Sequence, residues 1–392
     1  MSAIKIIDAA DLKESFYSFH RLEGALEAVP TILEAVRTRG NAAIREYAAK
    51  FDKANPESFE IPKADLKACE DRLRAARPDL YDALCLSRDL ALQFAARQRE
   101  SFDDFEIELS SGLITGQKTI PVERAGLYVP GGRFPLFSSV IMASSPAKAA
   151  GVGDVILCTP PSPHPTDPRL PWADDQILAT ASLCGIDRVF AVGGAQAIAA
   201  MAYGTESIPR VNAIVGPGNK YVAQAKKLVY GEVGIDLLAG PTEVMVIADA
   251  SARPAWVAAD LLAQAEHDAD AEATLITDSR ELALAVQAEL DALVAALPEG
   301  AVARKSLANN SRAVIVRKLD DAIAIANRKA PEHLELAMES GPERDAIERA
   351  ARNYGSLFVG HRTAEVLGDY AAGLNHTLPT SGSALFTGGL SV

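Results

Sequence analysis

Gln264 and His267 close an apolar helical segment, Leu-Leu-Ala-Gln264-Ala-Glu-His267-Asp. Three apart on a helix, they share a face, so an amide oxygen and an imidazole nitrogen can converge on one ligand. That pair suits a borderline cation such as zinc, although Gln is an unusual ligand; the alternative is a polar last turn with His267 favoured by the helix dipole. Glu332-His333 follows Pro331 and opens a candidate strand, in which adjacent side chains point to opposite faces. Held in the preceding turn, both can face one pocket, where a neutral imidazole takes a proton near pH 7. The other reading is a loop carboxylate and a satisfied histidine. Asp369, in the run Gly368-Asp-Tyr-Ala-Ala-Gly-Leu-Asn-His376, suits a hard-oxygen metal ligand or an N-cap. His20 and His361 stand in no chemical context and default to structure.

These side chains need a scaffold, and the hydrophobic pattern supplies one. Residues 24 to 101 read as mainly helical. From Ala125 onward, short apolar runs alternate with Ala-rich helical segments: 126–129, 154–158, 188–192, 212–215, 244–248, 273–277, 313–316, 333–336 and 356–359. Such alternation predicts an α/β fold with parallel sheets flanked by helices. Nine strands are many for one sheet, so two sheets are expected. The helix after Val244–Ala248 is predicted over Ala255–His267, with Pro254 at its first turn. Three Gly-containing turns follow strands: Pro130-Gly-Gly132, Gly193-Gly-Ala-Gln196 and Gly216-Pro-Gly-Asn219. At the carboxyl edge of a parallel sheet such turns let backbone N–H groups approach a nucleotide phosphate. No Gly-x-Gly-x-x-Gly fingerprint is present.

The chain has 392 residues, 48% hydrophobic and 23% charged, with a net charge of −13. That balance describes a globular protein with no nucleic acid or anionic membrane as its main partner. The N-terminus reads as too charged for a signal peptide, and no run is long enough to span a membrane. Cys69, Cys85, Cys158 and Cys184 are scattered, as in a reduced cytoplasmic protein.

Taken together, the motifs resemble the histidinol dehydrogenase family. They are Glu123-Arg-Ala-Gly-Leu-Tyr-Val-Pro-Gly-Gly132, Val192-Gly-Gly-Ala-Gln-Ala-Ile-Ala199, Gly216-Pro-Gly-Asn219, Ala239-Gly-Pro-Thr-Glu243, Gln264-Ala-Glu-His267, Pro331-Glu-His-Leu334 and Gly368-Asp-Tyr-Ala371. They fall in the family's order from about residue 30 to the end. The resemblance implies two incomplete Rossmann-like domains in an intertwined homodimer. It divides the chain into an N-terminal segment (1–25), a first domain (26–126 with 244–387), a nucleotide-side domain (127–243) and the start of a tail (388–392). It implies NAD-dependent, zinc-assisted oxidation of L-histidinol to L-histidine through histidinaldehyde, the last step of histidine biosynthesis. By motif, Gln264, His267 and Asp369 resemble the zinc ligands and Glu332 and His333 the catalytic pair. Tyr128, Gln196 and Asn219 resemble the NAD contacts. Thr242, standing where the family usually has Ser, resembles a substrate contact together with Gln264, His267, His333 and Asp369. The family's chains run on past Gly388-Gly-Leu-Ser-Val392 into a tail that supplies a Glu and a His to the site, and this sequence ends before both. A paralogue acting on another small polar alcohol, such as a dihydroxypropane sulfonate, or a catalytically impaired truncated form are the alternatives.

Overall fold

The computed structural model describes residues 2–18, 27–131, 135–370 and 372–392. His20, Gly132 and Ala371 lie outside them. The chain forms two units, one of residues 1–23, 239–369 and 378–389, the other of residues 24–238, 370–377 and 390–392.

The first unit is built on a six-stranded parallel sheet in the order Lys5–Asp8, Arg312–Ile315, Glu272–Thr277, Glu243–Ala248, His333–Ala337, Ser356–Val359. All six residues of Glu243–Ala248 are buried, and their alternation explains the layers. Val244, Val246 and Ala248 pack with Leu261 and Ala265 of the Pro254–Ala265 helix, while Met245 and Ile247 join Ile323, Ala326 and Leu334 on the opposite face. From Glu243–Ala248 the chain winds outward through two further strands, then returns to add His333–Ala337 on the other side. The winding direction therefore reverses beside Glu243 and His333.

The second unit holds the sheet Glu60–Ile61, Arg188–Ala191, Asp154–Thr159, Arg124–Tyr128, Ala213–Val215, Gly234–Ile235, all parallel except the first strand. Its reversal lies between Arg124–Tyr128 and Ala213–Val215. Phe105–Ser110 and Leu113–Gln117 form a separate antiparallel ribbon.

All nine expected strands are present, with ends shifted by a residue or two. Among the described residues five further strands were not expected: Lys5–Asp8, Glu60–Ile61, Gly234–Ile235 and the two ribbon strands. Glu60–Ile61 and Gly234–Ile235 have two residues each and show no period. Lys5–Asp8 lies outside the strand–helix alternation that begins at Ala125, and no helix follows the ribbon to complete an alternation. The expected grouping of 26–126 with 244–387 is corrected. Ile61 pairs with Val189, and Val29, Ile32, Leu33 and Val36 of Ala28–Arg39 share a core with Ile198 and Met201, so that region belongs with 127–238. Among the described residues no helix is long and apolar enough to cross a membrane.

Candidate functional site

In the first unit the chemistry gathers at the amino edge of the sheet, where Glu243 and His333 are the first residues of neighbouring strands. Glu332 sits in the turn before its strand, which frees it from strand alternation. Both Glu332 and His333 are 6% exposed. Glu332 Oε2 accepts from Thr242 Oγ1 at 2.5 Å and from the Glu243 N–H at 3.1 Å. His333 Nδ1 lies 3.2 Å from the Glu243 carbonyl. A carbonyl only accepts, so Nδ1 carries the proton and Nε2 keeps its lone pair. The same Nδ1 is 3.7 Å from Glu332 Oε2.

The Pro254–Ala265 helix runs back from the carboxyl edge and brings Gln264 to this place. Gln264 is fully buried, and its Nε2 donates to Thr242 Oγ1 at 2.6 Å. That bond fixes the amide and leaves Oε1 buried without a hydrogen-bond partner. An orphaned buried acceptor fits a cation ligand. The helix ends at Ala265, two residues short of the expected His267; His267 stands exposed just past the cap, and its N–H still reaches the Gln264 carbonyl at 3.4 Å. Asp369 belongs to the short Val366–Tyr370 helix and is no N-cap. One donor atom each from His333, Glu365 and Asp369 lies within 4.8 Å of the others, a second possible metal set that shares Asp369 with the first. Glu365, 2% exposed, went unremarked in the sequence, where only its position four before Asp369 hints at it.

Burial sets the protonation states. It pushes the Glu332 carboxyl up to about 8, against the bonds from Thr242 and Glu243 and with help from the Asp369 charge. It pushes His333 down to about 4, opposed by Asp369 and the Glu243 carbonyl. The charge of His267 lowers His333 further, so His267 acts on the same group. Burial likewise raises Glu365 to about 8, with Asp369 and Glu332 adding to it. At neutral pH the site therefore combines a neutral imidazole with two carboxyls, Glu332 and Glu365, held mainly in the protonated form.

In the second unit Tyr128, Gln196 and Asn219 stand at the carboxyl edge. Tyr128 is buried and its hydroxyl accepts from the Gly194 N–H at 3.0 Å. Gln196 Nε2 is 3.4 Å from Asp52, a carboxylate the sequence reading overlooked. Asn219 caps the Lys220–Val229 helix through bonds to Tyr221 and Val222 N–H. Gly216, with φ +120°, passes so close to the Tyr128 carbonyl that a Cβ there would lie 2.1 Å from its oxygen. A buried Lys226–Asp236 pair clamps this turn, Lys226 donating to the Gly216 carbonyl at 3.0 Å and Asp236 accepting its N–H at 2.7 Å. Glycine turns of this kind fit a dinucleotide at a switch point. Asn375 has a structural task, donating to the Met142 carbonyl at 2.7 Å, and His361 bonds Ser251 Oγ at 3.1 Å.

The family model described as histidinol dehydrogenase matches residues 18–392. The histidinol dehydrogenase of Aromatoleum aromaticum is 46% identical over 369 residues, covering 93% of this chain and 81% of the relative. That of Streptococcus mutans is 44% identical over 364 residues, covering 93% and 82%. A crystal structure of histidinol dehydrogenase from Elizabethkingia anophelis superposes with a TM-score of 0.91 at 34% identity, covering all of this chain and 88% of that one.

Proposed function

The chain belongs to the histidinol dehydrogenase family of oxidoreductases, and on that premise we propose that it oxidises L-histidinol to L-histidine with NAD and a divalent metal, zinc first among them. One observation carries the reading: Gln264, Thr242, Glu332, His333 and Asp369, drawn from four separate stretches of chain, are linked at one sheet edge by hydrogen bonds or mutual charge.

Alcohol to carboxylate is a four-electron change, so two hydrides leave in sequence through an aldehyde. NAD would supply the hydride acceptor, with Tyr128, Gln196, Asn219 and the glycine turns of the second unit to hold it. Gln264, His267 and Asp369 would hold the metal, which would supply positive charge to orient the substrate. His333 takes the hydroxyl proton on Nε2, the nitrogen left free by its bond to Glu243. The ionised form of Glu332, which the Thr242 and Glu243 hydrogen bonds favour, takes a proton from water as that water adds to the aldehyde. Its raised affinity for protons suits it to accept and return one near neutral pH. Thr242 keeps the Glu332 carboxylate aimed and Gln264 oriented through one hydroxyl.

Two copies associate in this reading. The ribbon supports that assembly, because Phe105, Ile107, Leu109, Leu113 and Ile114 are all exposed on it. Sedimentation should give twice 41.5 kDa. The four cysteines are free, in keeping with a cytoplasmic setting. The purified chain, given histidinol, NAD and zinc, should form two NADH for each histidine. Absence of NADH, or an aldehyde as the end product, would count against the proposal.

A further inference from the structure

Lys329 is the last residue of the Leu319–Lys329 helix and is 6% exposed. An ammonium so deep needs partners, and it has three. Nζ lies 2.9 Å from Glu272 Oε2, 3.4 Å from Glu243 Oε2 and 3.1 Å from the Phe16 carbonyl, which accounts for all its protons. Glu243 and Glu272 open adjacent strands and are paired in register, so their carboxylates lie side by side, both buried. Like charges so placed repel. Lys329 is the cation that lets them stay together.

The consequence reaches the chemistry because of what else Glu243 does. Its carboxylate also accepts the Ser381 N–H at 2.8 Å, its N–H donates to Glu332 and its carbonyl accepts from His333. We infer that Lys329 is a positioning residue: gripping the Glu243 side chain, it holds the Glu243 backbone where its carbonyl fixes the His333 tautomer and its N–H fixes the Glu332 carboxylate. Lys329 acts through Glu243 and does not enter the reaction. The inference rests on the roles proposed above for Glu332 and His333.

A buried ion cluster that only stabilises the fold would also suffer from losing Lys329, so the test removes the cation and one anion together. In Lys329→Met/Glu272→Gln the neighbouring like charges are gone, yet Glu243 has lost its anchor. Ring-nitrogen NMR of the full chain labelled with [15N]histidine reads the tautomer without turnover, and His333→Asn assigns the signal. The parent should show His333 protonated on Nδ1 alone. The folded double variant should show a mixture of tautomers. Its kcat on histidinol should fall about tenfold to a hundredfold, as when a group that orients a functional side chain is lost, with KM for histidinol unchanged. A double variant that keeps either the single tautomer or the parent's kcat overturns the inference.

Glu272→Gln alone leaves Lys329 on Glu243 and should keep the tautomer. It decides the matter if the double variant does not fold, since a mixed tautomer in it would move the anchor to Glu272. Failure of the underlying reading has a different signature: His333→Asn would then still oxidise histidinol.

Discussion

The backbone of one residue, Glu243, holds both candidate proton carriers. The Glu243 carbonyl is 3.2 Å from His333 Nδ1 and the Glu243 N–H is 3.1 Å from the Glu332 carboxylate. A backbone group cannot rotate away as a side chain can, so the imidazole presents Nε2 and the carboxylate keeps one oxygen fixed. The Glu243–Ala248 strand, buried throughout, supplies the rigidity.

Thr242 links Gln264 to Glu332 with one hydroxyl, and the shape-conserving Thr242→Val tests that link. It leaves the Gln264 Nε2 and a Glu332 oxygen buried with fewer partners, which should cost about 1–3 kcal/mol of stability. Thr242→Ser should retain the hydroxyl and most of the activity. Denaturant titration and a histidinol assay on the two variants check this, and equal behaviour of Val and Ser would contradict it.

Two donor sets are candidates for the proposed metal. With Gln264, His267 and Asp369 as ligands, Gln264→Met should weaken zinc about 10- to 100-fold, while Glu365→Gln should change it little. With His333, Glu365 and Asp369 as ligands the order inverts. Zinc competition against a chromogenic chelator reads the difference directly.

How much of this was legible beforehand follows from how each residue acts. Gln264, His267, Glu332, His333 and Asp369 stood out as candidates by type and spacing, each with a structural alternative, and the family resemblance joined them into one expected site. The parallel sheets were visible in apolar runs such as Val244–Ala248. What stayed hidden acts through geometry between distant segments. Glu243 contributes its backbone N–H and carbonyl, which nearly every residue has. Lys329 and Glu272 look like surface charges until the register sets Glu272 beside Glu243. Asp52, in a helical stretch that offered packing surface and no chemistry, reaches Gln196 only through the tertiary fold. The amino edge itself was unexpected, since ligands in open parallel sheets favour the carboxyl edge; the Pro254–Ala265 helix returns the metal-site candidates to it.

Gly216 tests the nucleotide side. With φ +120° and the Tyr128 carbonyl in the path of any Cβ, Gly216→Ala must move the turn or strain it, at about 1–3 kcal/mol. The KM for NAD should rise while zinc affinity stays unchanged. An unaltered KM for NAD would remove this turn from the binding site.

Burial raises Asp52 from 3.8 to about 6, with the Gln196 bond opposing. A carboxyl raised in the folded state binds more protons folded than unfolded between those values, so stability falls as pH rises through that window and stays lower above it. Asp52→Asn removes the effect. Its melting temperature should exceed the parent's above about pH 7 and match it below about pH 4. A constant difference across pH would show that Asp52 does not titrate in this way.

In the proposed reaction His333 and Glu332 divide the labour at the amino edge, and separate assays of histidinol and histidinaldehyde oxidation by His333→Asn and Glu332→Gln decide whether they do. His333→Asn should lose histidinol oxidation by about 10²- to 10⁴-fold, the range for a general base. Glu332→Gln should keep most of the first oxidation and lose the second. Equal losses in both steps for both variants would contradict that division.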